Sequence, residues 1–196
     1  MRYLICLFVL ISLGCKDASP VAVDGKYIKD IERNIITFED GSSIELNNEK
    51  GSKTIYLIRH AEKDTLPEKN PILTQEGYDR SYRLARLFKQ TRLDAIYSTL
   101  YNRTMHTVDS LATMKGMQTN IYQPKDLRQL NIDIEGNKEL NNVIISGHSN
   151  TTPAMANVFM GQKVIDAGFH EDDYDNFLVV NISKEGTKKL YQLRYK

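Results

Sequence analysis

The chain has 196 residues and is 41% hydrophobic, which suits one compact α/β domain with appendages. Its 26 Lys and Arg stand against 25 Asp and Glu, a net of +1, with no basic stripe or long like-charge block, so nucleic acid is not an expected partner. The only two cysteines, Cys6 and Cys15, exclude a cysteine-built zinc site, and removal of residues 1–15 would leave no internal disulfide.

The first twenty residues, MRYLICLFVLISLGCKDASP, carry one early Arg and an apolar run from Tyr3 to Leu13, then Gly14 and Cys15. Spanning a bilayer takes roughly 20 apolar residues, so this run reads as a signal peptide. Gly14 before Cys15 resembles a bacterial lipobox, in which the cysteine is lipidated and becomes the mature N-terminus; Ser12 stands where that motif usually has Leu. An ordinary signal peptide or a short anchor helix are the other readings of the same stretch. The polar segment after Lys16 suits a tether, and IITFEDGSSIELN places two alternating apolar runs around Asp40-Gly41, a hairpin signal. Residues 1–15 are thus expected to be a lipoprotein signal peptide, 16–50 a tether with a small β extension, and 51–196 the main domain.

From Thr54 onward strands alternate with helices, as in a parallel sheet covered on both faces. TIYLI is a continuous apolar strand. Pro67 and Pro71 mark a loop, and Thr74 is the expected N-cap of a helix presenting Ser81, Leu84, Ala85 and Phe88 on one face. LDAIYS is a second strand; a helix from Asn102 to about Gly116 carries Met105, Val108, Leu111 and Ala112. NVIISGH is a third buried strand, with Thr152 expected as the next N-cap and Pro153 at the first helical position. NFLVVNIS and KKLYQLRY around the turn KEG form a closing hairpin-like pair.

Three apolar strands therefore end in chemically useful residues: Arg59-His60, Ser98 with Arg103 just beyond, and Gly147-His148-Ser149. Ligands of open parallel sheets sit outside the carboxyl ends of the strands, which would bring two arginines and two histidines into one crevice. Without carboxylates or thiolates, that group is poor for a divalent metal and good for a dianion, since a guanidinium fork matches phosphate oxygens. A neutral imidazole beside such a pocket can attack phosphorus. The bland readings belong beside this one. Ser98 and Thr107 read as structural hydrogen-bonders. His106 reads as an ordinary helix-surface histidine and His170 as solvated. The acidic run Glu171 to Asp175, which lacks the spaced ligands and glycine of a calcium loop, reads as a solvated surface.

The blocks LIRHAEK, LTQEG, IYSTLYNRTMHT and VIISGHSNT, in this order, resemble the histidine phosphatase superfamily, whose fold is shared with phosphoglycerate mutases. The resemblance runs from about Thr54 to the C-terminus. It implies a three-layer α/β/α fold with a mostly parallel sheet, here in a compact lipoprotein member preceded by a small β extension. It also implies that His60 is the histidine that becomes phosphorylated and that Arg59, Arg103 and His148 bind the phosphate, with Asn150 a candidate pocket-lining residue. No metal or other cofactor is implied. His60 must be unprotonated to attack, whereas His148 is expected to serve better as a proton donor.

The chain departs from the family pattern in ways that matter. Ala61 follows the histidine where Gly is common, and the usual Pro before the second arginine is replaced near Leu100. The family's LRE block, whose Glu is the general acid in many members, has LRQ (Leu127 to Gln129) as its nearest counterpart. Glu62 or Asp64 could take the acid's place, or the substrate could have a leaving group that needs little help. The expected activity is hydrolysis of a phosphomonoester or of phosphohistidine. The expected location is the outer side of a bacterial membrane through lipidated Cys15, the partner a small phosphorylated substrate or a phosphoprotein. The alternative is a catalytically weak phosphate-binding or phosphoprotein-binding lipoprotein; a phosphomutase ranks below both, because the chain has little spare length to cover a mutase site.

Overall fold

The computed structural model describes residues 25–196. The expected signal peptide, the expected lipidation residue Cys15 and the start of the expected tether lie outside the described residues.

Three short strands come first: β1 (Ile28–Glu32), β2 (Ile35–Phe38) and β3 (Ser43–Glu45), an antiparallel sheet in the order β1-β2-β3. The expected hairpin at Asp40-Gly41 joins β2 to β3. Gly41 takes a φ of +83° that disfavours other residues, and Asp40 Oδ1 accepts from the Ser42 amide at 2.9 Å. The small sheet is packed into the body of the protein, because Ile28, Ile31, Ile36, Phe38 and Leu46 join one of its two hydrophobic cores.

The main elements then follow: β4 (Lys53–Arg59), α1 (Gln75–Leu87), β5 (Ala95–Ser98), α2 (Asn102–Lys115), β6 (Thr119–Ile121), α3 (Leu127–Gly136), β7 (Asn142–Gly147), α4 (Thr151–Met160), β8 (Asn176–Ile182) and β9 (Lys188–Arg194). They build a six-stranded sheet in the order β6-β5-β7-β4-β8-β9. β6, β5, β7 and β4 run parallel, while β8 and β9 are antiparallel to their neighbours. Alternation along each strand sorts side chains between two cores. Tyr56, Ile58, Ile96, Ile144 and Val179 pack with Leu84, Phe88, Val108 and Leu111 of α1 and α2. Ile55, Leu57, Val143, Ile145 and Val180 pack with Leu130, Ile134, Met155 and Phe159 of α3 and α4. The expected three-layer α/β/α architecture with a mostly parallel sheet is the one observed.

Thr74 caps α1 as expected, its hydroxyl accepting from Gly77 N at 3.2 Å. α2 ends at Gly116 in the left-handed conformation, φ +63°. The start of α4 differs from expectation: Asn150, not Thr152, is its N-cap, and Pro153 is the third helical residue. The reason is that the threonines are employed elsewhere. Thr151 Oγ1 accepts from His148 N at 2.9 Å, and Thr152 Oγ1 donates to Ile58 O at 3.2 Å, tying α4 to the ends of two strands.

Candidate active site

β5, β7 and β4 are adjacent and parallel, so their carboxyl ends form one edge. Arg59 lies opposite Gly147, and Ser98 opposite Ser146, which places His60, Thr99 and His148 side by side just past that edge. Gly147 is required there: a Cβ would sit 2.9 Å from Thr152 Oγ1 and 3.0 Å from Thr151 Oγ1. A cleft of about 550 Å³ opens at this edge, lined by His60, Lys63, Tyr101, Arg103, His148 and Glu171 among others. Asn150 lines it as well, and also borders a larger groove of about 700 Å³ along α3 and α4.

His60 is buried and its tautomer follows from its partner. Nδ1 lies 2.8 Å from Ala61 O, a group that can only accept, so Nδ1 carries the hydrogen and Nε2 keeps its lone pair. Burial pushes the imidazole down to about 3, and the charges of Arg59 and Arg103 act in the same direction. The segment after it is fixed to α2 through one hydroxyl: Ala61 N donates to Thr107 Oγ1 at 2.8 Å, and Thr107 Oγ1 donates to Arg103 O at 2.7 Å. The nucleophile candidate and the second arginine are therefore held in register by Thr107, while Ser98 bonds Thr99 O.

His148 faces His60, the ring centroids 5.7 Å apart. Arg103 Nη2 reaches His148 Nδ1 at 3.4 Å, and a guanidinium can only donate, so Nε2 bears the hydrogen and donates to Thr99 Oγ1 at 3.0 Å. Burial, with Arg103 and Arg59 beside it, holds this histidine at about 4. Both imidazoles are thus held well below their ordinary pKa by burial and the neighbouring arginines, and His148 acts as a donor here through Nε2–H to Thr99. The Arg103 guanidinium stacks over Tyr101, 4.6 Å from the ring centroid.

Arg59 is wholly buried and does not itself line the cleft. Its Nη1 donates to His170 O at 2.6 Å and Asp173 O at 3.2 Å, its Nη2 pairs with Glu171 Oε2 at 3.2 Å, and Tyr174 lies over it at 4.4 Å. The acidic run is the expected solvated surface at Glu171 and Asp172 but is pinned to the body from Asp173 onward. Asp173 pairs with Arg194, and Asp175 with Arg80 while accepting from Tyr27 Oη, so the run is a strap held down by three arginines. The side chains of His170, Glu171 and Asp172 conform to the solvated reading, at 80%, 70% and 90% exposed.

The possible general acids do not reach the cleft. Glu62 is gripped by Arg80, with Nε to Oε1 at 2.9 Å and Nη2 to Oε1 at 2.6 Å, and faces a different depression beside Asp175. Asp64 is exposed and accepts from Thr65 N. Gln129 lies exposed on α3, donating to Asp133. His106 bonds and stacks with Tyr78, away from the cleft. The carboxylate that does line the cleft is Glu171. A hydrogen bond from Ser149 and the nearby cations Arg59 and Lys63 hold its pKa below the usual value. No local pattern announces it, because its partner Arg59 is 112 positions away.

Residues 55–144 match the sequence model of the histidine phosphatase superfamily, branch 1, a span that includes Arg59, His60 and Arg103 and ends just before His148. Over this span the chain is similar to the histidine phosphatase superfamily. No curated protein matches it in sequence. Solved histidine phosphatase structures match its fold. A mycobacterial glucosyl-3-phosphoglycerate phosphatase superposes with a TM-score of 0.59 at 9% identity, covering 74% of this chain and 100% of its own. The protein histidine phosphatase SixA, complexed with tungstate, gives 0.58 at 13%, covering 72% and 96%. A protein assigned as a phosphohistidine phosphatase SixA, from Agrobacterium tumefaciens, gives 0.53 at 20%, covering 66% and 91%. At these identities the likeness is one of fold.

Proposed function

We propose that the protein is a phosphatase that cleaves phosphomonoesters or phosphoramidates, phosphohistidine among them, through a phosphohistidine on His60. The observation that carries this reading is the His60 tautomer: Nδ1 is committed to Ala61 O, so Nε2 keeps its lone pair, on a ring that lines the cleft with His148 and Arg103. A neutral imidazole is what in-line attack on phosphorus needs, and burial keeps it neutral. In the first step Nε2 bonds to phosphorus, the bond to the leaving atom breaks, and its electron pair departs with the leaving group. In the second, water attacks, the P–N bond breaks, His60 is regained and inorganic phosphate leaves. Arg103 and His148 donate to the phosphoryl oxygens, and Arg59 adds its charge from below. A bound dianion would offset the two guanidinium charges and raise His148 toward its protonated, donating form.

Among the described residues no carboxyl in its acid form faces the cleft. That favours substrates whose leaving group is a nitrogen that brings its own proton, or an oxygen of low basicity. Hydrolysis is preferred to mutase chemistry because the rim is open to water at Glu171 and Asn150, whereas a mutase must shelter its phosphohistidine. The sequence of residues 1–15 supports delivery of this domain to the outer side of a bacterial membrane on a lipidated Cys15.

A second reading is supported by Arg59, whose Nη1 and Nη2 already have protein partners: a phosphate-binding lipoprotein with little turnover. Assay of the full chain in detergent with p-nitrophenyl phosphate, beside His60→Ala, separates the two. Turnover lost in the variant supports the phosphatase; phosphate binding without turnover in the wild type supports the second reading.

A further inference from the structure

Arg59 has four partners of two kinds. His170 O, Asp173 O and the Tyr174 ring belong to a strap that Arg194, Arg80 and Tyr27 fix through Asp173 and Asp175. These partners cannot leave without unfolding the strap. The fourth, the Glu171 carboxylate, is a side chain 70% exposed to solvent and can swing away by rotation alone. It is placed over the cleft by a second bond, Ser149 Oγ donating to Oε1 at 2.7 Å, right beside His148. Meanwhile Arg59 Nε is buried with no partner. A wholly buried guanidinium thus keeps one unused donor and one exchangeable anion, and that anion lines the cleft.

We propose that Glu171 is a specificity-determining residue: it serves Arg59 as an internal counter-anion and makes the cleft favour phosphate groups that carry a cationic group close by over those that carry a second anion. This inference rests on the reading of the cleft as a phosphate site. A phosphoryl dianion that reaches Arg59 has to share it with Glu171 or displace that carboxylate. A substrate with an ammonium or protonated nitrogen near phosphorus compensates by pairing with Glu171. One with a further carboxylate or phosphate meets repulsion instead. The other charges at the cleft, Lys63 and Arg103, are cationic and would by themselves favour polyanions, so Glu171 sets the sign of the discrimination.

The test compares the full chain in detergent with Glu171→Gln and Asp172→Asn. The second variant removes a charge from the same strap, but one that does not touch Arg59. Two quantities are read: affinity for inorganic phosphate by calorimetry, and the ratio of kcat/KM for phosphoethanolamine to that for 3-phosphoglycerate. Glu171→Gln is expected to bind phosphate about tenfold more tightly and to lower the ratio at least about tenfold, with Asp172→Asn close to wild type. Unchanged affinity and ratio in Glu171→Gln, or equal shifts in both variants, would overturn the proposal. Phosphate binding needs no turnover, so a wild type that binds phosphate and hydrolyses nothing defeats the phosphatase reading, while the affinities still decide the role of Glu171. Failure of all three proteins to bind phosphate overturns the proposal as well.

Discussion

Arg59 and Glu171 form an ion pair of unequal burial, 3.2 Å between Nη2 and Oε2, with the arginine side chain 0% and the glutamate 70% exposed. The arginine is a structural keystone as well as a candidate phosphate ligand, because three strap groups converge on it. Arg59→Lys keeps the charge but cannot reach His170 O, Asp173 O and Glu171 together. The expected loss is roughly 2–4 kcal/mol of stability, read from denaturant midpoints, together with phosphate affinity.

Thr107 joins the segment of His60 to the helix of Arg103. Thr107→Val keeps the shape but leaves Ala61 N–H buried without an acceptor, a cost of about 1–3 kcal/mol. Loss of kcat beyond what Tm explains is the expected sign that the hydroxyl also sets the nucleophile's position.

Arg80 clamps Glu62, Asp175 and Tyr195 O at once. Arg80→Met would strand two carboxylates and is expected to destabilise by about 3–5 kcal/mol, with the strap at Glu171 to Asp175 losing hydrogen-exchange protection first.

Acid should unfold the protein earlier than its carboxylates alone would dictate. His60 and His148 are held at about 3 and about 4 in the folded state, against 6.5 when unperturbed. Their contribution is therefore full above the unfolded value and is lost as pH falls from about 6.5 toward 4 and then 3, because the unfolded chain binds protons that the folded one refuses. The slope is at most about 1.4 kcal/mol per pH unit for each ring. Urea midpoints measured at pH 7, 6 and 5 should fall along that slope, and His148→Gln should flatten it.

What was legible in the sequence follows a physical division. Arg59, His60, Arg103 and His148 could be placed together because each ends or closely follows an apolar strand, and parallel strands deliver their carboxyl ends to one edge. Leu130 and Ile134, four apart and buried, were the signal for α3 that the comparison of LRQ with the acid block passed over. Glu171 and Tyr174 were illegible for another reason. A charge run reads as solvated unless its partners are known, and these lie more than a hundred positions away at Arg59. The same holds for Glu62, whose candidacy ended with Arg80, eighteen positions on in a helix whose buried face no local pattern ties to it.

The central claim is a covalent phosphate on His60. The most direct measurement is rapid quenching of the full chain during turnover of p-nitrophenyl phosphate, followed by mass spectrometry of the peptide that contains Thr54 to Asp64. A single acid-labile, base-stable phosphate on His60, absent from His60→Ala, is the predicted result. Sustained turnover with no label on His60, or equal turnover in the variant, would contradict it.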